Sequence, residues 1–160
     1  MNHLRKTFSI MLFLIVVTQS MNLLSIQPLS DILDLPLHAI ILNQDYTVSD
    51  KLDMMQDLLD SKKVNIDARD RDGKTALNLA TYYKKDPAII EFLVQHGAEV
   101  NEPDLFNVTP LHNSIRYEEI PVAKILLAVG ADENHKDDDG RTPMDLAQTK
   151  KTKDVLGLTN

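Results

Sequence analysis

The sequence predicts an all-α solenoid: helix-turn-helix units stacked side by side and joined by β-hairpin-like turns. Three observations carry that expectation. One phrase recurs, as GKTALNLA from Gly73, NVTPLHNS from Asn107 and GRTPMDLA from Gly140, at steps of 34 and 33 residues. A second phrase keeps the same step, ending at Asp67, Asn101 and Asn134. After the first phrase lie apolar residues at helical spacing, Ile89, Ile90, Phe92 and Leu93 in one unit and Val122, Ala123, Ile125, Leu126 and Leu127 in the next. One such unit cannot bury its face alone, whereas stacked neighbours can.

Residues 1–20 are built differently from the rest. MNHLRK supplies Arg5 and Lys6 with no acid, Ile10 to Val17 is unbroken hydrocarbon, and Thr18, Gln19 and Ser20 follow. This is the plan of a secretory signal peptide cut after Ser20, and its apolar run is too short for the roughly 20 residues that span a bilayer. Residues 21–67 are expected to form a degraded N-terminal capping repeat. LPLHAI, Leu35 to Ile40, keeps the core of the recurring phrase, and an outer helix around Ser49 to Asp60 follows a longer connection through Gln44, Asp45 and Tyr46.

Residues 68–101 and 102–134 are the two full repeats. In Thr109-Pro110 and Thr142-Pro143 a threonine hydroxyl is placed to cap a helix whose first turn accepts proline, since an N–H is not needed there. Gly97 and Gly130 stand just past apolar helices, where a left-handed residue ends a helix at little cost. The extra residue of the first full repeat falls at Lys84-Lys85-Asp86-Pro87, with Asp86 as N-cap and Pro87 as first helical residue. Residues 135–160 read as a C-terminal cap, whose last helix carries little apolar content beyond Val155, Leu156 and Leu158.

Composition bounds the function. At 160 residues, 43% apolar and 26% charged, the chain suits one folded array. It has no cysteine, which excludes disulfides, thiolate metal sites and a catalytic thiol. The net charge of −7 falls to −9 once Arg5 and Lys6 are removed, so nucleic acid and anionic lipid are not expected partners, and no stable membrane anchor is expected after cleavage.

With these phrases in phase over most of the chain, the sequence resembles the ankyrin repeat family, whose unit reads roughly D-x-x-G-x-T-P-L-H-x-A, a helix, a turn, then L-L-x-x-G-A-x-x-N. The resemblance implies a monomeric, non-enzymatic protein-binding module without cofactor, which contacts partners through hairpin tips and the exposed side of the first helices. Carried over position by position, the partner-binding residues are Arg71, Asp72, Lys74, Tyr82 and Tyr83 in one repeat, then Leu105, Phe106, Val108, Arg116 and Tyr117, then Asp138, Asp139 and Arg141. Four of the six aromatic residues beyond Ser20 fall on these positions, and Tyr, Arg and large apolar groups dominate interface energies. Leu105 and Phe106 stand out, because they put hydrocarbon where the sister repeats have Arg71-Asp72 and Asp138-Asp139.

Catalysis finds little support. His38 and His112 share one repeat position, which suits hydrogen bonding within the repeat, and His96 beside a helix end needs no ligand. The acidic loops Asp67 to Gly73 and His135 to Gly140 lack the glutamate six residues past the glycine that closes a calcium loop; Leu79 and Leu146 stand there. A metal-dependent hydrolase is therefore the weakest reading. Asn107-Val108-Thr109 fits a glycosylation acceptor if a eukaryotic secretory pathway makes the chain. A host-directed or regulatory binder and a periplasmic immunity factor that neutralises a toxic enzyme both fit an exported, acidic array.

Overall fold

A computed structural model describes residues 35–62, 64–155 and 157; the expected signal peptide lies outside them. Among these the elements are α1 (Pro36–Leu42), α2 (Val48–Asp60), α3 (Ala76–Tyr82), α4 (Pro87–Gln95), α5 (Pro110–Arg116), α6 (Ile120–Ala128), a 3₁₀ turn (Met144–Leu146) and α7 (Lys150–Val155). They form two layers. The first helices α1, α3 and α5 and the 3₁₀ turn stack in one row, and α2, α4 and α6 stack in a second.

Side-chain caps set the start of α2 to α5, two of them at Thr109 and Asp86 as read from the sequence. Thr109 Oγ1 accepts the His112 N–H while the His112 ring accepts the Thr109 N–H, a reciprocal capping box. Thr75 caps α3 at Asn78, Thr47 and Asp50 box the start of α2, and Asp86 accepts the Ala88 N–H at 2.9 Å ahead of Pro87. Gly97 and Gly130 take φ of +85° and +91° just after α4 and α6. The fourth repeat departs from expectation. Thr142-Pro143 opens a single 3₁₀ turn instead of an α-helix: Asp145 closes back on the Thr142 N–H and hydroxyl at 2.8 Å, as Asp50 does on Thr47, but Ala147 is already extended.

The core is the seam between the rows. Leu77, Ile89, Ile90, Leu93, Leu111, Ile115 and Leu126 are fully buried, and Phe92, Ile125 and Leu127 lie half-buried beside them. Burying one such aliphatic chain is worth about 1.5–3 kcal/mol. Polar rungs join the repeats. His38 Nε2 meets the Lys74 carbonyl at 2.8 Å, Asn78 donates to the Glu102 carbonyl at 2.7 Å, and His112 Nε2 meets the Arg141 carbonyl at 3.1 Å. His112 keeps the bond expected within its repeat and adds one to the next, whereas the His38 bond runs to the next repeat, since the ring at this position points at the following hairpin. Asn101 adds a further rung, accepting the Asp132 N–H at 2.7 Å and donating to the Gly130 carbonyl at 3.1 Å.

A candidate protein-binding groove on the hairpin face

Each hairpin is built on one aspartate, a role that the sequence reading missed. Asp70, Asp104 and Asp137 recur at the same step as the phrases around them. In each case one carboxylate oxygen accepts two backbone N–H groups at 2.8–3.1 Å, from the residues two and four positions later. Backbone bonds from Asp70 to Lys74, Asp104 to Val108 and Asp137 to Arg141 then close the turns at 2.9–3.0 Å. The acidic loops thus spend these carboxylates on their own backbone. Among the described residues no group of three or more His, Asp or Glu is placed to hold a metal ion.

The tips are tied sideways. Leu105 N–H donates to the Asp72 carbonyl at 3.0 Å, and Asp138 N–H donates to the Phe106 carbonyl at 3.1 Å. Asn107 adopts φ +56° in register with Gly73 at +75° and Gly140 at +77°, and its amide reaches Asp138 Oδ1 at 2.5 Å. Leu105 lies over Gly73 so closely that a Cβ there would come within 2.9 Å of Leu105 Cγ. Phe106 and Leu105 nevertheless remain 61% and 63% exposed. The hydrocarbon seen in the sequence is therefore held rigidly at the tip and left uncovered.

Behind the tips runs a groove of about 440 Å³ across three repeats. Phe106, Val108 and Tyr82 supply its apolar lining, while Asp72, Lys74, Arg116, Asp138, Asp139 and Arg141 supply most of its charge. Most of the residues singled out from the sequence are thus brought together, while Arg71, Leu105, Tyr83 and Tyr117 do not line it. Lys74 and Val108 require correction. Both are buried, at 8% and 7%, since a further repeat follows each of them, whereas Arg141 at the same position of the last hairpin is exposed. Lys74 Nζ lies 3.1 Å from Asp72, 4.0 Å from Asp104 and 5.3 Å from the Tyr82 ring centre. Burial alone would lower its pKa, but those carboxylates raise it above the usual lysine value. The two residues serve as wall and floor, with little surface to offer a partner directly.

Arg141 holds Asp137 at 2.9 Å and also grips Asp139, and Arg116 approaches Asp137 at 3.8 Å. Burial pushes Asp137 up, yet the backbone and guanidinium of Arg141 bring its carboxyl below the usual range. Beside the groove Tyr82 stacks edge-on to Tyr83 at 5.0 Å and to Tyr117 at 5.9 Å, with Lys84 over the Tyr117 ring at 5.1 Å. Tyr82 and Tyr83 remain 39% and 52% exposed, so the cluster is both packed and presented. Burial, with Tyr82 close by, raises the Tyr117 phenol pKa.

Asn113 was also missed from the sequence. It is 1% exposed, lines the groove, and neither its Oδ1 nor its Nδ2 has a hydrogen-bond partner. The signal was available: Asn113 stands where the other two full-phrase repeats carry Leu79 and Leu146.

Stacked helix pairs with hairpin tips aligned along one face define the class, a repeat solenoid that presents a binding surface. A family pattern described as ankyrin repeats, in three copies, matches residues 46–137 and 88–158, and the chain belongs to the ankyrin repeat family. It is similar to the potassium channel AKT1 of Arabidopsis thaliana, 36% identical over 70 residues covering 44% of this chain and 8% of the channel. It is also similar to an ankyrin repeat protein of Rickettsia bellii, 32% identical over 113 residues, 70% of this chain and 62% of that one. The chain thus spans less than two thirds of the length of these curated relatives. The ankyrin repeat domain of Bcl-3 superposes with a TM-score of 0.65 at 26% identity, covering 76% of this chain and 50% of that domain. The fold is that of a protein–protein interaction module, generally a non-enzymatic scaffold.

Proposed function

We propose that the chain is an exported binding protein that grips a partner protein on its hairpin face. Tyr82, Tyr83 and Tyr117 on one side and Leu105 and Phe106 on the other make the contact, and the acidic tips face a basic edge of the partner. The single observation that carries this reading is Phe106: a large apolar ring, 61% exposed, on a tip held in register by backbone bonds on both sides. A preorganised aromatic anchor loses little entropy on binding, the property that makes a hot spot. Residues 1–20 direct export to a periplasmic or secreted location, and the array acts there as a host-directed or regulatory binder.

The test places a photo-crosslinking amino acid at position 106 and, as control, at Lys124, which is exposed on α6 outside the groove. A specific adduct is expected from position 106 alone, and it is lost on competition with wild-type protein but not with the Phe106→Asp, Tyr117→Ala variant. Equal adducts at both positions would refute the reading. Fractionation of the full chain, with the N-terminus of the exported product sequenced, is expected to give a start at Met21; an intact Met1 in the cytoplasm would refute export.

A further inference from the structure

The groove already described holds one feature that the fold does not need. Asn113 buries a carboxamide with two donor hydrogens and an acceptor oxygen, all unpartnered, at a position where two sister repeats place leucine. Leaving such a group unpaired costs about 1–3 kcal/mol. A leucine would avoid that cost, as it does at Leu79, which is 4% exposed. Within one side chain, the donor and acceptor of a carboxamide match the C=O and N–H of a peptide unit, so the group that best satisfies both is a main-chain amide.

The surrounding charge selects what that main chain carries. The groove is lined by five aspartates against one lysine and two arginines, a balance of −2. The cations are committed: Lys74 to Asp72 and Asp104, Arg141 to Asp137 and Asp139. Asp138 and Asp139 at the last tip are exposed and have no further protein cation against them among the described residues. Phe106 and Val108 add apolar lining to the same groove.

Resting on the reading of the hairpin face as the binding face, we infer that the groove takes an extended peptide segment bearing an arginine or lysine. One main-chain amide of the segment pairs with the Asn113 carboxamide, and its cation lies against Asp138 and Asp139. Arg116, one helical turn beyond Asn113, 3.8 Å from Asp137 and beside the Tyr117 phenol, is the side chain that moves to admit it.

The experiment uses two defined probes, acetyl-Ala-Leu-Arg-Ala-amide and acetyl-Ala-Leu-Glu-Ala-amide, titrated into isotope-labelled protein and followed by NMR. The arginine peptide is expected to shift the Asn113 side-chain amide and the Asp138 and Asp139 backbone amides along a saturable curve, with the glutamate peptide at least about tenfold weaker. Asn113→Leu is expected to melt at a temperature higher by a few degrees and to lose peptide binding about tenfold or more. The exposed Asp138→Asn, Asp139→Asn pair is expected to erase the preference for arginine while keeping the Asn113 shift. The inference fails if neither peptide binds, if Asn113→Leu binds as tightly as wild type, or if the charge preference survives the double variant. A more stable Asn113→Leu with no peptide bound by wild type would mean an amide satisfied by water alone, and would also overturn it. Crosslinking from position 106 separates the two readings. An adduct unaffected by Asn113→Leu leaves the hairpin face as the binding face and removes only the peptide assignment.

Discussion

His112 ties α5 to the fourth hairpin and makes stability depend on pH in a defined way. The ring is 0% exposed. Its Nδ1 accepts the Thr109 N–H at 3.2 Å, so the proton belongs on Nε2, which donates to the Arg141 carbonyl at 3.1 Å. A second proton would have to sit on Nδ1, displacing the bond from the Thr109 N–H and leaving the Thr109 hydroxyl oxygen, 2.8 Å away, as its acceptor. Burial is the main force lowering the His112 pKa from 6.5; the Arg141 bond and Asp137 oppose it, while His135 and Arg116 reinforce it. The folded chain therefore binds this proton less readily than the unfolded chain. The associated stability is fully present above about pH 6.5 and declines as pH falls through the folded-state value. One proton is worth at most about 1.4 kcal/mol per pH unit, so the loss from this residue between pH 6.5 and 5.5 is bounded near 1.4 kcal/mol, about 3–6 °C in melting temperature for a domain of this size. Urea unfolding at pH 7.5, 6.5 and 5.5 is to be compared between wild type and His112→Asn, which carries the residue found at Asn78. The variant is expected to start lower by about 1–3 kcal/mol and to close part of that gap at pH 5.5. Parallel curves would refute the argument.

Gly73→Ala and Gly140→Ala both force alanine to positive φ, but only at Gly73 does a Cβ meet Leu105 at 2.9 Å. Chemical denaturation is expected to find the Gly73 variant worse by about 1 kcal/mol or more. Asp137→Ala strips two backbone N–H groups of their acceptor, leaves Arg141 to solvent, and is expected to cost about 1–3 kcal/mol, seen as loss of thermal cooperativity in the fourth repeat. Because the folded Asp137 pKa is lowered, its contribution is present above about pH 3.8 and disappears as pH drops below that, which an acid titration followed by circular dichroism reads. Asn107→Ala keeps a left-handed position without the bond to Asp138 and is expected to destabilise by about 1–2 kcal/mol, whereas Asn107→Gly costs less.

The helices and their ends were legible because they rest on local chemistry. Thr109 with His112, and Asp86 with Pro87, satisfy a helix start from residues within a few positions of each other, and a period of 33 or 34 residues can be read without coordinates. The exposure of Leu105 and Phe106 followed from the same alignment, since sister repeats carry charge there. The fourth repeat was less legible, because the same Thr-x-x-Asp closure precedes a full α-helix at Thr47 and only a 3₁₀ turn at Thr142.

What only the tertiary structure decided lies between repeats. Lys74 and Val108 share one hairpin position with the exposed Arg141, yet both are buried, each in a repeat that another follows. Asp70, Asp104 and Asp137 look like interchangeable surface acids until each is seen holding its own turn. The sequence by itself determined the repeat, its caps and its exposed aromatic tip, because those depend on contacts within one turn or one unit. The rungs from His38, Asn78 and His112, the groove behind Phe106 and the unpaired amide of Asn113 arise where one repeat meets another, and stacking in three dimensions places them.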